Sequence, residues 1–242
     1  MSLINDAFDD LSHSLRVLLE ANDRAHRQGL INLDRAEAVG NIETALASVL
    51  NSFHSVYDAM KKSAKYSDVD WYEYPELALI LVLRNARHHN HARKVRTMYS
   101  FYAQEARKIG SMEMYILVDF PAQEGGADTF DVYLSWSDLM DLLSMPTRET
   151  RIRDHLKGAL REYLGTNKFQ EYAEYYQLDE HRIFLNVVPL LVNAGIVLMS
   201  HIRNDIKPLS TESKAFHAHF QSAQPAYTDR HEVNCGPIAL MP

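Results

Sequence analysis

Residues 84 to 96 read RNARHHNHARKVR. They hold five fixed positive charges (Arg84, Arg87, Arg93, Lys94, Arg96), three histidines (His88, His89, His91) and two amides (Asn85, Asn90). No acid occurs between Glu76 and Glu105. Over the full 242 residues Asp plus Glu outnumber Lys plus Arg by 32 to 25, a net charge of −7 with neutral histidine. The window is therefore a local inversion of charge. Guanidinium and ammonium groups at this density attract a phosphodiester backbone. Imidazoles titrate near neutral pH and can move protons. Arginine cannot act as a base, but it holds phosphate and stabilises charge that develops on it. On a helix, Arg84, His88 and His91 share one face at i, i+4 and i+7, with Asn85, His89 and Arg96 on an adjacent face.

Three plainer readings compete for the same residues. One is a solvated basic face with no role. Another is a polar network inside a bundle, its histidines satisfied by neighbouring helices. A third is metal binding by His88 and His91 at i and i+3, which the flanking arginines disfavour. No metal and no other cofactor is expected.

The run Arg84-Asn85-Ala86-Arg87-His88-His89 resembles the Arg-X4–6-His motif of the HEPN superfamily, in its common form Arg-Asn-X3-His. The resemblance implies an all-α helical bundle and, in many members, a metal-independent endoribonuclease. Such enzymes work as dimers whose motifs meet at a shared cleft, and they occur as toxins of toxin–antitoxin pairs and in phage defence. It implies Arg84 and His89 as the catalytic pair, Asn85 as the orienting polar residue, and His91 as an alternative histidine at Arg-X6-His spacing. Arg87, His88, Arg93, Lys94 and Arg96 would then bind and position the RNA. The implied partners are RNA, a second copy of the chain and an antitoxin or other regulatory protein. Many HEPN proteins do no chemistry, so a helical module that binds RNA, a nucleotide or a protein is the alternative.

The elements that would position this window are mostly helical. Ile4, Phe8, Leu11, Leu15 and Leu18 fall at intervals of three and four and predict a helix from Ser2 to about Ala25. Ile42, Leu46, Val49, Phe53, Val56 and Met60 predict a second, from about Asp34 to Lys62, with Gly29 as the stop between them. Pro75 opens a third helix at its first turn, which the pattern carries through the basic window to about Ile109 and Gly110. MEMYILVDF (112–120) and TFDVYLSW (129–136) flank the turn-like EGGAD, which predicts a β-hairpin. Asp119, Asp128 and Asp131 could hold a metal there, but they read first as solvated polar residues of strands and a turn. Helices resume at 137–143 with Ser137 as cap, at 151–164 and at 168–178.

Residues 183–202 have the length of a membrane span. Asn186, Pro189, Asn193, Ser200 and His201 argue for a buried helix instead, with Asn186, Asn193 and Ser200 repeating every seven residues. Residues 221–242 show no periodicity and read as an irregular tail. The expected fold is thus mainly α, a helical bundle with a β-hairpin insertion at about 112–136. It divides into a motif-bearing bundle (1–110), a hairpin with further helices (111–207) and a tail (208–242). One cysteine, Cys235, excludes an intrachain disulfide and a Cys-rich zinc module. It fits a reducing cytoplasm, the expected location, with no membrane contact. The first residues, MSLINDAFDDL, lack a basic n-region and do not read as a signal peptide.

Overall fold

The computed structural model describes residues 2–88, 95–105, 114–122, 130–150 and 152–237. Within them the protein is mainly helical with a small sheet. It comprises two compact units: residues 1–84 with 191–224, and residues 85–190 with 225–242. This division departs from the boundaries expected near 110 and 207. The chain leaves the first unit after residue 84, re-enters it at residue 191 and returns to the second at residue 225, a long-range exchange that no local composition shift announces.

The first unit is built on α1 (Leu3–His26) and α3 (Arg35–Lys61), an antiparallel pair joined by the short α2 (Leu30–Leu33). All eleven residues of the two predicted stripes are buried. Ser2 caps α1, accepting from the Asn5 amide, and Asp34 caps α3, accepting from the Glu37 amide at 2.9 Å. The interface also holds polar atoms. Ser14 Oγ bonds the Asp10 carbonyl at 2.9 Å, Ser48 Oγ at 3.1 Å and Ser52 Oγ at 2.8 Å. Hydroxyls satisfied in this way fix the axial register of the pair, which apolar packing alone leaves looser. The start of α4 (Pro75–His88) and most of α10 (Val188–Ile202), with α11 (Thr211–Ser222), complete the unit. Gly195 on α10 allows a close approach, since a Cβ there would overlap the ring of Phe220, which is buried. Gly195→Ala is therefore expected to destabilise the chain by about 1–3 kcal/mol, as overpacked cores do. Urea denaturation at a common m-value reads the loss.

The second unit carries α5 (Met98–Glu105), β1 (Met114–Asp119), β2 (Tyr133–Ser135), α6 (Trp136–Ser144), α7 (Thr147–Thr150), α8 (Asp154–Tyr163), α9 (Phe169–Tyr176), β3 (Ile183–Asn186) and β4 (Glu232–Pro237). Both strands of the predicted hairpin exist, but they do not pair with each other. The sheet order is β2-β3-β1-β4. β3 lies between them, parallel to β1 and antiparallel to β2. The residues of the predicted turn, 124–128, lie outside the described ones. The predicted helix over 183–202 is a buried strand followed by a helix. Asn186 closes the strand, so the heptad stripe that would include it does not form, and Pro189 sits in the first turn of α10 where a missing N–H is tolerated. The expected C-terminal tail supplies α11 and the edge strand β4, which pairs antiparallel with β1 over six residues. The cap of α6 is Ser135, accepting from the Asp138 amide at 3.3 Å, rather than Ser137. Met98, Phe101, Tyr115 and Phe184 form the core between α5 and the sheet. Among the described residues no helix is long and apolar enough to cross a membrane.

Candidate functional site

α4 brings Arg84 and Asn85 to the surface of an otherwise buried helix. Residues Leu77 to Leu83 are all at most 2 % exposed, whereas Arg84 and Asn85 are half-buried. The apolar run thus fixes the helix by burial on several sides, and the polar pair begins where that burial ends. Arg84 Nε donates to Asn51 Oδ1 of α3 at 3.4 Å. That long bond orients the guanidinium by one nitrogen. Arg87 and His88 form the last turn of α4. His89, His91, Arg93 and Lys94 lie outside the described residues.

The predicted helix from Pro75 to Ile109 does not run unbroken. Val95 and Arg96 belong to no helix, Thr97 makes an antiparallel bridge to Leu134, and α5 begins at Met98. Thr97 Oγ1 accepts from the Ser100 amide at 3.2 Å and caps α5. Arg96 therefore lies outside the helix that carries Asn85, and the face it was expected to share does not form there. Its guanidinium closes a two-pronged ion pair with Asp138, Nε to Oδ2 at 2.8 Å and Nη2 to Oδ1 at 2.7 Å. The Arg96 amide adds a third bond to Oδ2 at 3.0 Å, and its carbonyl accepts from the Ser135 amide at 2.9 Å. The guanidinium stacks on Phe101, 4.5 Å from the ring centroid. The Asp138 side chain is 3 % exposed. A cation committed to a buried carboxylate in this way is a structural fork, so Arg96 does not serve as the RNA-positioning charge expected of it.

Sequence reasoning scattered Asp119 and Asp131 along solvated edges. The fold brings them together at the carboxyl ends of the adjacent parallel strands β1 and β3. Asn186, fully buried, donates through Nδ2 to Asp131 Oδ1 at 2.8 Å and to both Asp119 oxygens at 3.2 and 3.3 Å. Its Oδ1 accepts from the amides of Val132 at 3.2 Å and Val188 at 3.1 Å. One amide thus bridges two carboxylates and two loops. Burial, with the Asp119 charge beside it, raises the pKa of Asp131 above the usual carboxylate value. Burial and the Asp131 charge push Tyr99 up to about 12. Asp131 therefore keeps its proton to higher pH than an ordinary carboxyl. Asn186 was the available signal, as a polar residue ending an apolar run.

The Asp131 shift has a pH consequence. Unfolded, the group ionises near 3.8; folded, it keeps its proton to higher pH. In the interval between, the folded chain binds more protons, so this group's contribution to stability falls as pH rises. Asp131→Asn is expected to gain stability relative to the parent as pH climbs above 3.8, and chemical denaturation across that interval measures the difference. A gap that stays constant with pH would contradict the raised pKa.

The other residue that sequence reasoning missed is His231. Its Nε2 faces the carbonyls of Leu164 and Thr228, both at 3.0 Å, so Nε2 carries the proton and Tyr172 donates to Nδ1 at 3.0 Å. Phe120 and Phe169 close around the ring at 5.4 and 5.5 Å between centroids. Burial lowers its pKa, which keeps it neutral. Gly165, at φ +59°, makes room: a Cβ there would lie 2.9 Å from both His231 Cε1 and the Thr228 carbonyl. His231 is a fastener for the segment leading into β4.

No protein-family model matches the chain, and no curated protein or solved structure matches it.

Proposed function

We propose that the protein is a HEPN-like endoribonuclease that cleaves RNA without a metal ion and acts as a homodimer in a toxin–antitoxin or phage-defence setting in the cytoplasm. The reading rests on the Arg-Asn-X3-His sequence. The observation that best supports it is the position of Arg84, which emerges half-buried at the end of the buried part of α4 with one nitrogen held by Asn51. A guanidinium presents planar, fixed donors of the kind that match phosphate oxygens.

In this mechanism the RNA 2′-hydroxyl attacks the adjacent phosphorus and the 5′-oxygen leaves, giving a 2′,3′-cyclic phosphate. His89 takes the hydroxyl proton or delivers one to the leaving oxygen. Arg84 neutralises the charge that builds on the non-bridging oxygens. The second proton transfer falls to His88, His91 or the second copy, and two-fold symmetry doubles the set at no cost in sequence. Asn85 orients the reacting groups. Arg87, Arg93 and Lys94 hold the backbone of the strand, and an antitoxin or other protein would regulate access.

Cleavage of RNA in the presence of EDTA, compared with Arg84→Ala and His89→Ala, is the test. Turnover lost in both variants supports the reading. RNA affinity without turnover in the parent protein assigns the chain to the non-catalytic binding modules instead.

A further inference from the structure

A second site, independent of the ribonuclease reading, is carried by the first unit. Beside the start of α1 lies a cleft of about 610 Å³. That volume falls within the range of small-molecule sites. Its walls come from segments far apart in the chain, and hydrogen bonds fasten them together. Lys65 Nζ bonds both carboxylate oxygens of Asp205 at 2.6 Å, and Tyr66 donates to the same carboxylate. The Lys207 amide donates to Asn5 Oδ1 at 2.7 Å. Nearby, Ser210 Oγ bonds Asp9. The cleft is therefore preformed rather than a gap between loose loops.

The hydrogen-bonding capacity that remains is one-sided. Asp205 already accepts from Lys65 and Tyr66, and these donors hold its carboxyl below its ordinary pKa. The Asn5 carbonyl oxygen is occupied by the Lys207 amide. The charged and amide groups that remain open are donors, and the Ser2 and Ser63 hydroxyls can donate or accept. Asn5 is 7 % exposed and lines the cleft, and its Nδ2 has no partner among the described residues. Lys207 is exposed, and its ammonium has no acceptor there either. The Ser2 hydroxyl lies at the same mouth, where the positive end of the 24-residue α1 adds to the field. A surplus of donors calls for a ligand that brings acceptors. Ile4 and Leu209, the latter 61 % exposed, supply an apolar side to the same space.

We infer that this cleft binds a small oxyanion with an apolar body. The anionic head, a phosphate monoester or a carboxylate, sits between Lys207, Asn5 Nδ2 and Ser2, and the body lies on Ile4 and Leu209. Phosphate and carboxylate share the chemistry recognised here, and the probes separate them.

The experiment is calorimetric titration of the full chain with phenyl phosphate, benzoate and inorganic phosphate. It is repeated on Lys207→Gln and on Lys214→Gln, which removes an exposed charge of α11 outside the cleft. Saturable one-site binding is expected for phenyl phosphate or benzoate, at a Kd on the order of 1 mM or tighter. Whichever binds more tightly identifies the head group. Lys207→Gln should weaken that binding at least tenfold, and Lys214→Gln should leave it unchanged. Inorganic phosphate should bind more weakly than phenyl phosphate, because it lacks the apolar body. The side chain of Lys207 is exposed, so its variant is expected to fold; circular dichroism checks this. Absence of saturable binding by both aromatic probes would overturn the inference. So would equal weakening by the two lysine variants, which marks a diffuse charge effect. None of these outcomes bears on RNA cleavage.

Discussion

Asp138→Ala is expected to lower the unfolding free energy by about 3–5 kcal/mol, the usual consequence of removing one partner of a buried ion pair. Three donors converge on the Asp138 carboxylate: two guanidinium nitrogens and the amide of Arg96. Without it, a guanidinium held at 20 % side-chain exposure over Phe101 keeps its charge and loses the carboxylate that faces it. The amide of Arg96 loses its acceptor as well. The acid also occupies the first turn of α6, where a negative charge meets the positive end of the helix. Arg96→Met should cost a comparable amount, because it strands the carboxylate. The double variant Arg96→Met with Asp138→Leu should recover much of the loss, since apolar residues of matched size replace such pairs at little cost. Guanidinium denaturation of the four proteins closes the cycle. A single-variant loss below about 1 kcal/mol would place this pair with exposed surface bridges instead.

The same pair shows where sequence reasoning stops. The charge run at 84–96 was legible, and so was the absence of any acid from 77 to 104. What was not legible is that an acid 42 residues away would come to meet Arg96. Local sequence carries no record of a bridge such as Thr97 to Leu134. The helix from Pro75 was extended too far because no glycine or proline interrupts residues 76–109. Thr97, a good N-cap residue, was the one local sign of a restart.

The long helices were legible for the opposite reason. In α1 and α3 each apolar position has neighbours three and four residues away on the same face, so the pattern and the burial are the same information. Ser2 marked the start of α1, Asn32 or Asp34 that of α3, and Pro75 that of α4. The apolar run from Ile183 hid β3, because a buried strand and a buried helix both read as continuous hydrophobicity. Asn186 and Pro189 mark the junction only once the strand is known to end there. β4 was hidden by its weak alternation: Val233 and Cys235 are half-buried and the residues between are polar. As for the candidate site, Arg84 and Asn85 were singled out by the resemblance of their run to a family motif. The joining of Asp119 to Asp131 through Asn186 was not, since it depends on the parallel register of β1 and β3.

If the protein is the ribonuclease proposed above, Arg84→Ala is expected to reduce RNA turnover by about 10²–10³-fold, the size of effect seen when one donor to a developing oxyanion is removed. The fall should appear in kcat, with KM changing little, because the pentavalent phosphorane carries more charge on its non-bridging oxygens than the ground-state phosphodiester does. Arg84→Lys should recover only part of the activity: an ammonium supplies charge but not the planar fork, and it cannot reproduce the Nε bond to Asn51. Replacement of Arg93 or Lys94 by Ala should do the converse. Each should weaken binding and flatten the salt dependence by about 0.7 log units per log unit of salt, one phosphate's worth on a single strand, while leaving kcat close to that of the parent. Arg96→Ala should leave the salt slope unchanged at temperatures where the variant stays folded, because its guanidinium faces Asp138 rather than a nucleic acid. Single-turnover kinetics over a salt series separate the three behaviours. If Arg84→Ala shifts only the salt-dependent affinity, as Arg93 and Lys94 should, the end of α4 is an electrostatic binding face and the chemistry assigned to Arg84 is withdrawn.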